Sequence, residues 1–386
     1  MTFKGYNLVI MVVLSMIMSF VLMFPLNSEI SFISHNDTIV SQTTPLGTIM
    51  LDYGHGQYSD VVSQVEDAAL ESVLEELGYT VIWQNESFTY GDLEDIDGLI
   101  IGSILGESYV FTEYELAVIA NWFNSGKKFM WISGDSDYEG YTYINDNMNS
   151  ILELVKSHVF LEPTDVYDEV LNCGQPYRPI ANVTTRTEFL LEAVVNVDAV
   201  LLHGPTLLYG STSSNSTAET VPLESYAINN VYPLLMFSPS ATIIDSDTVP
   251  PIAHSNNQSG SFVAVTMELQ AGLNSASTLV VSGASPYGDF QPMFCSYYYF
   301  VNLTGDLFVS QTINLGMTLA EMGYTPPITT ATIDVVTTTT TTTTIATSPT
   351  TNDSVPFIIS LPMVISLLSV TTIVICIVLI ARFRID

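Results

Sequence analysis

Basic residues are scarce in this sequence of 386 residues. Lysine and arginine together number 8, against 40 aspartates and glutamates, so the formal net charge at pH 7 is −32. Proteins that bind nucleic acid need a basic face that neutralises phosphates, and docking on anionic lipid uses clustered lysine and arginine. The composition therefore excludes a nucleic-acid-binding protein and argues against a polybasic lipid-binding patch.

Cysteine is also rare, with three in the whole chain. This number excludes a small scaffold held by many disulfides, and it excludes a four-cysteine zinc site. Charged residues make up only 12% of the sequence and hydrophobic residues 47%. Part of this apolar excess lies in two long uncharged runs, one near each end of the chain.

The first apolar run covers residues 8–24 and follows Lys4. Its 17 residues are short for a spanning helix and typical of the hydrophobic region of a signal peptide. No clean cleavage site follows, since Leu26-Asn27-Ser28 fits the small-residue pattern poorly. We interpret residues 1–28 as a signal peptide, with an uncleaved N-terminal anchor as the alternative.

The second apolar run covers residues 357–380 and contains no charge. Its 24 residues are enough to cross ~30 Å of hydrocarbon, although a buried core helix is the alternative. Arg382 and Arg384 follow it, so the positive-inside rule places residues 381–386 in the cytoplasm. The sequence thus predicts a cell-membrane protein with a single C-terminal span and an extracellular body.

Residues 325–354 contain 15 threonines, 2 serines and 3 prolines. This composition cannot bury a core and is typical of an O-glycosylated stalk, or of a bare linker with the same topology. Asn-x-Ser/Thr acceptor sites for N-glycosylation agree with an extracellular location. They are Asn36, Asn85, Asn182, Asn215, Asn257, Asn302 and Asn352.

The body, residues 47–323, begins with alternating strand and helix patterns. Short apolar strands are predicted at 48–51, 81–83, 99–101 and 129–133. Capping boxes at Ser63/Glu66 and Thr112/Glu115 begin the first two helices. The first helix places positions 62, 65, 69, 73 and 77 on one apolar face. Such units of about 30 residues predict right-handed crossovers and a parallel sheet with helices on both faces.

The second half of the body shows fewer helices. Helices are predicted near 151–155 and at 307–322, and strands at 199–203, 234–237, 262–267 and 278–282. Three of these strands have no helix between them, which favours antiparallel additions to the sheet. The predicted fold class is therefore α/β, with a mostly parallel sheet and added antiparallel strands.

Three stretches carry a family resemblance. They are Asp52-Tyr53-Gly54-His55-Gly56 after the first strand, residues 111–128 leading into strand 129–133, and residues 279–287, which comprise the last strand and the turn after it. They resemble the class I glutamine amidotransferase-like superfamily, which has a flavodoxin-like sheet. More narrowly they resemble its non-catalytic branch, which includes auxiliary subunits of gliding-motility-type ABC transporters and a domain of an intraflagellar-transport subunit. Ala284 stands where that branch tends to carry an aspartate.

The catalytic members of that superfamily carry a nucleophilic cysteine in the turn after a central strand. The corresponding turn here, residues 131–137, contains Asp135, Ser136 and Asp137 but no cysteine. The resemblance therefore implies a non-enzymatic domain. We expect no cofactor and no catalytic residue, and we leave open an accessory role in an ABC-type transport system.

Two chemical alternatives remain. Gly134-x-Ser136 begins like the nucleophile elbow of a serine hydrolase, but Tyr138 replaces the second glycine and no spacing links Ser136 to His158, His203 or His254. Asp52, His55, Asp135 and Asp137 could alternatively hold Ca²⁺, Mg²⁺ or Mn²⁺. Turn and helix capping is the commoner use of such aspartates, so no metal is expected.

The carboxyl ends of parallel strands converge at one sheet edge, where α/β proteins bind ligands. This predicts a cleft for a neutral polyol such as a glycan, for a cation, or for a surface protein. Its residues are Asp52, His55, Ser103, Asp135, Ser136 and Asp137.

Two further features remain open in the sequence. Cys173 and Cys295 are the only cysteines of the body and could form a disulfide. The aromatic run Tyr297-Tyr298-Tyr299-Phe300 could contact sugars or a partner if exposed, although burial in the core is the favoured interpretation.

Overall fold

The computed structural model describes residues 45–323, except Arg186. The predicted signal segment, stalk, membrane span and tail lie outside the described residues, as do Asn36 and Asn352. Within the described residues, no helix combines the length and the apolar character needed to cross a membrane. The described residues include the predicted body, residues 47–323, apart from Arg186.

A large mixed sheet of nine strands organises this domain. Five neighbouring strands are parallel, in the order β2-β1-β3-β4-β14. They are β1 (Thr48–Asp52), β2 (Thr80–Gln84), β3 (Gly98–Ile101), β4 (Phe129–Ser133) and β14 (Ser277–Ser282). Four antiparallel strands extend the sheet from β14: β13 (Val263–Ala271), β11 (Val231–Phe237), β7 (Ile180–Val183) and β8 (Ala199–Leu201).

Smaller pairings lie outside the main sheet. The remaining strands are β5 (Val159–Leu161), β6 (Asp165–Asp168), β9 (Leu208–Ser211), β10 (Thr220–Pro222), β12 (Ala241–Ile244), β15 (Tyr297–Tyr298) and β16 (Val301–Asn302). Among them, β6 pairs antiparallel with β12. Asp165, the first residue of β6, lies opposite Ile244, the last residue of β12, so the loop after β12 begins beside the start of β6. The helices are α1 (Val61–Glu76), α2 (Tyr90–Leu93), α3 (Glu113–Asn124), α4 (Tyr143–Leu154) and α5 (Gly305–Met322).

The parallel strands β1, β3, β4 and β14 are buried on both faces, because their side chains alternate between two hydrophobic clusters, whereas the edge strand β2 is partly exposed. One cluster contains Leu51 and Trp131 together with Leu70 of α1 and Phe308 of α5. The other contains Met50 and Met130 with side chains of α3 and α4. The predicted helices on both faces of the sheet are therefore present.

Two predictions about the sheet and its first helix need correction. Parallel and antiparallel pairings are equally numerous in the nine-stranded sheet, so it is mixed rather than mostly parallel. The first helix begins with a reciprocal pair between Asp60 and Ser63 instead of Ser63/Glu66. Its buried face carries Leu70 and Leu74, whereas Val65 is 66% exposed. The Thr112/Glu115 capping box of α3 is confirmed.

Candidate functional site

The predicted site residues lie where parallel strands end. Asp52 is the last residue of β1, Ser103 follows β3, and Asp135, Ser136 and Asp137 follow β4. The order β1-β3-β4 makes these three strands neighbours in the sheet. The six residues nevertheless fall into three groups with different surroundings: Asp52 with His55, Ser103 alone, and the turn 135–137.

Asp52 and His55 form a buried network with Glu115. His55 Nδ1 lies 2.9 Å from Asp52 Oδ1, and His55 Nε2 lies 3.1 Å from Glu115 Oε1. The imidazole also packs against Phe111, with ring centroids 3.9 Å apart. Both ring nitrogens are thus engaged by carboxylates, so His55 offers no free nitrogen to a metal ion.

The two carboxylates favour a charged His55, although burial outweighs the contact with His55 at Asp52 and raises the pKa of that carboxyl. Burial disfavours the imidazolium, but the hydrogen bonds to Asp52 and Glu115 outweigh it and raise the pKa of His55. Burial also disfavours ionised Glu115, yet hydrogen bonds from Thr112 and His55 hold the pKa of this carboxyl below its usual range. His55 therefore joins the β1 loop to α3 as a charged structural link.

Ser103 serves as another link. Its hydroxyl donates a hydrogen bond of 2.8 Å to the carbonyl of Gly134, and its N–H lies 3.3 Å from Ser285 Oγ. The side chain is fully buried. Ser103 therefore connects the loops after β3, β4 and β14 and does not face a cleft.

The backbone of the turn after β4 is held by the side chains of Asp135 and Asn145 and by the carbonyl of Gly204. Asp135 Oδ1 accepts the N–H of Ser136 at 2.7 Å, and the same N–H lies 2.9 Å from the carbonyl of Gly204. Within the described residues, no histidine is hydrogen-bonded to the hydroxyl of Ser136. His203 precedes Gly204 and packs edge-on against Tyr177, while burial and nearby Arg178 lower the pKa of His203 to about 4. Its imidazole is neutral at pH 7.

Asp137 differs from every other predicted site residue. Its side chain is 0% exposed, and neither carboxylate oxygen has a hydrogen-bond partner. Its carboxylate lies with those of Asp245 and Asp247, where ligand atoms from all three residues fall within 4.8 Å of one another. Burial, the adjacent carboxylate of Asp165, and then Asp247 and Asp245 raise the pKa of Asp137 to about 8.

Sequence reasoning missed Asp165, Asp245 and Asp247. Asp165 begins β6, and the other two follow β12, the strand that pairs with β6. One signal was present in the sequence, because Asp135-Ser136-Asp137 and Asp245-Ser246-Asp247 are identical tripeptides. In contrast, Asp52, His55, Asp135 and Asp137 do not form a metal-sized group among the described residues.

The remaining predicted features lie elsewhere. Four of the five acceptor asparagines in the described part are exposed, namely Asn85, Asn215, Asn257 and Asn302, while Asn182 is half-buried in β7. Cys173 and Cys295 are buried in one small cluster as free thiols. Burial of the aromatic run is wrong for most of it, since Phe300 is 92% exposed and Tyr297 and Tyr299 are also exposed.

Solved structures similar to this chain have low sequence identity. The mmIFT52 N-terminal domain is 12% identical with a TM-score of 0.46, covering 70% of this chain and 97% of that chain. A ThuA-like protein from Bacteroides uniformis is 11% identical with a TM-score of 0.37, covering 74% and 93%. The glutaminase domain of CTPS from Trypanosoma brucei is 10% identical with a TM-score of 0.32, covering 72% and 94%.

These neighbours are class I glutamine amidotransferase-like proteins and an intraflagellar-transport subunit domain, the proteins that the motifs of this sequence resemble. The likeness concerns the fold alone. No protein-family model matches the chain. No curated protein matches it either.

Proposed function

We propose that this chain is a membrane-anchored cell-surface protein whose amidotransferase-like domain binds a ligand or partner and does not transfer amides. The observation that carries the proposal is the turn after β4. Where the resembled enzymes have a nucleophilic cysteine, this chain has Ser136 between two aspartates. A nucleophile needs an adjacent base, and carboxylates beside it oppose the formation of an anion.

The anchoring part of the proposal rests on the sequence outside the described residues. An uncharged run at 357–380, two arginines after it and a threonine-rich segment before it fit a stalked, C-terminally anchored protein. The exposed asparagines Asn85, Asn215, Asn257 and Asn302 would be accessible to glycosylation on the outside. The large negative charge would keep such a surface protein soluble and unaggregated.

Protease added to intact cells tests the topology. We expect cleavage within residues 325–354 and release of a soluble fragment that contains the α/β domain, because a threonine-rich segment of this kind has no core to protect it. Cells lysed before protease treatment provide the comparison. A domain that stays protected until lysis would place the body inside and refute the surface assignment.

A serine hydrolase is the competing function, because the carbonyl of Gly204, next to His203, lies within 2.9 Å of the Ser136 amide. A screen of the purified chain against ester, peptide and amide substrates decides between them. We expect no turnover above background in the wild type or in Ser136→Ala. Hydrolysis in the wild type that disappears in Ser136→Ala, and persists in the exposed control Ser225→Ala, would establish the hydrolase instead.

Capture of the anchored protein tests whether it binds a partner at the cell surface. The anchored protein, captured from its own membranes with a mild detergent, should retain a surface protein or glycoconjugate that mass spectrometry identifies. Recovery of an ATPase and a permease together would favour the accessory role in an ABC-type transport system. Asp137→Asn captured in parallel shows whether the acidic turn contributes to the contact.

A further inference from the structure

Four aspartates converge beside the turn after β4 without a cationic side chain among them. Asp137 comes from that turn, Asp165 from β6, and Asp245 and Asp247 from the loop after β12. Within the described residues, no lysine or arginine forms an ion pair with any of them. Like charges at this distance repel strongly when they are removed from water, so a bound cation would stabilise the ionised cluster.

The carboxylate of Asp137 is buried without hydrogen-bond partners, which indicates that it binds a cation. A buried carboxylate normally accepts several hydrogen bonds, because burial without them costs several kcal/mol. Both oxygens of Asp137 lack a partner although the side chain is 0% exposed, and Asp165 Oδ1 lacks one as well. These oxygens can therefore donate electron pairs to a cation. They cannot bind a ligand that offers only hydrogen-bond acceptors.

The surrounding groups hold the other carboxylates in place. The N–H of Asp247 donates to Asp245 Oδ1, the N–H of Val249 donates to Asp247 Oδ1, and the hydroxyl of Ser246 donates to Asp165 Oδ2. Asp245 and Asp247 are only half-buried. Solvent can thus reach the cluster from the side of the β12 loop, and water can complete a coordination shell.

We propose that Asp137, Asp245 and Asp247, supported by Asp165, bind a hard divalent cation, and that this cation is Ca²⁺. The donor set contains only carboxylate oxygen, with neither nitrogen nor sulfur, which suits Ca²⁺ and Mg²⁺ rather than zinc or copper. Ligand atoms within 4.8 Å of one another fit a shell of ligands about 2.4 Å from a central Ca²⁺. Mg²⁺ requires a tighter, near-octahedral shell and gives up its waters reluctantly.

The proposed Ca²⁺ site does not depend on the proposed function, because the purified protein would bind the ion whether its body lies inside or outside the cell. It also accounts for the two identical Asp-Ser-Asp segments, one after β4 and one after β12. The ion would bridge these two segments through their carboxylates. Binding would therefore order the β12 loop against the edge of the parallel sheet.

Ca²⁺ binding is measured on the full-length chain, purified in detergent and treated with EDTA. At about 0.15 M NaCl, which screens diffuse attraction to the acidic surface, equilibrium dialysis with CaCl₂ should detect one ion per chain. Extracellular Ca²⁺ sites commonly bind at about 0.1–1 mM, so titration to about 10 mM covers the range. The melting temperature should rise by a few degrees, and less with MgCl₂.

Three variants make the test specific. Asp137→Asn and Asp247→Asn should lose the bound ion and the Ca²⁺-dependent rise in melting temperature. In EDTA, Asp137→Asn should melt at or above the wild-type temperature, since it removes a buried carboxyl whose ionised form is repelled by its acidic neighbours. Asp198→Asn, which removes an exposed aspartate outside the cluster, should behave as the wild type.

Two results would overturn the proposal. One is a wild-type chain whose melting temperature does not respond to Ca²⁺ and which retains no stoichiometric ion. The other is an Asp137→Asn variant that folds and still binds one ion per chain. A larger rise with MgCl₂ than with CaCl₂ would overturn the assignment to Ca²⁺.

Discussion

At the scale of single residues, His55 has the largest predicted effect on stability. Its imidazolium lies between two buried carboxylates, those of Asp52 and Glu115. In His55→Leu both carboxylates lose this partner while remaining buried. Removing one member of a buried ionic network costs about 3–5 kcal/mol, so we expect a loss of that size in the free energy of unfolding. Urea denaturation followed by tryptophan fluorescence measures it.

Gln64→Leu is the control for His55→Leu, because it introduces the same side chain at an exposed position of α1. A surface change of this kind should alter the free energy of unfolding by no more than about 0.5 kcal/mol. If His55→Leu were as stable as this control, the charged link between the β1 loop and α3 would not exist.

His254 predicts a pH dependence of stability. Burial opposes its charge, but hydrogen bonds to Glu162 and Glu224 raise the pKa of His254 to about 9. The folded state therefore binds this proton more tightly than the unfolded state, whose histidine pKa is about 6.5. The resulting stabilisation is complete below about pH 6.5 and is lost as the pH rises towards 9.

The expected contribution of His254 is on the order of 3 kcal/mol. Urea midpoints recorded between pH 6 and 9.5 should fall more steeply for the wild type than for His254→Gln, which keeps a donor for Glu162 but cannot be charged. The comparison between the two proteins removes the contributions of other titrating groups. Parallel pH profiles would show that His254 is neutral in the folded protein.

Single residues also show where prediction from sequence stops. Asp135, Ser136 and Asp137 could be placed at the sheet edge because residues after parallel strands converge there. The aspartates that surround Asp137 could not be predicted from the sequence, since their positions depend on the pairing of β6 with β12. His55 was identified as a site residue, but its contact with Glu115, 60 positions away, makes it a structural link instead.

At the scale of elements, helix faces were harder to predict than helix positions. All three helices expected near α1, α3 and α5 exist, yet Val65 and Ala69 of the predicted apolar stripe of α1 are exposed, and Val73 only packs against the edge of the core. That stripe lines a surface groove with Phe294 and Leu307. The buried face also contains Ser63 and Asp67. The hydroxyl of Ser63 accepts the N–H of Asp60, just before the helix, and the carboxylate of Asp67 accepts the N–H of Gly288, so apolar periodicity alone did not identify the buried side.

The contact of α5 with β4 leads to a prediction about Gly316. A Cβ at this position would lie 2.3 Å from Cε2 of Phe129, a fully buried ring. Gly316→Ala should therefore destabilise the protein by about 1–3 kcal/mol through overpacking, although alanine is the better helix former. Denaturant midpoints compare it with Gly91→Ala in α2, where the nearest atom would lie 3.8 Å away.

The Gly91→Ala variant should be neutral or slightly stabilised, because nothing obstructs its methyl group and alanine restricts the unfolded chain. Equal effects of the two substitutions would mean that α5 can move away from β4 at little cost.

At the scale of the whole molecule, Cys173 and Cys295 predict a covalent link between segments 122 residues apart in sequence. Their thiols are free in the structure and share one buried cluster, and the disulfide itself stays a prediction. If the body is extracellular, the bond would add up to ~4–5 kcal/mol in the chain-entropy model. Thiol counting on the unfolded, unreduced body should find none, and two reactive thiols would reject the bond.

The α/β class and the antiparallel strands of the second half were predictable from the order of apolar segments. The full extent of the sheet was not, because β7, which is only 4 residues long, was not predicted, and the predicted strand β8 joins the sheet only through its pairing with β7. Short strands carry too little periodic signal to be assigned without their neighbours. The second half therefore looked irregular in sequence although it completes the main sheet.

The pairing of β4 with β14 constrains when the protein can fold during its synthesis. Phe129 lies opposite Thr278, and the face that carries Trp131 is covered by Phe308 of the last helix. A nascent chain that ends before residue 305 must therefore expose Phe129 and Trp131 to its surroundings. We expect protease to digest ribosome-arrested chains of 300 residues completely, whereas the α/β domain of full-length chains should resist digestion. Until α5 emerges, the growing polypeptide therefore exposes apolar surface of the kind that favours aggregation.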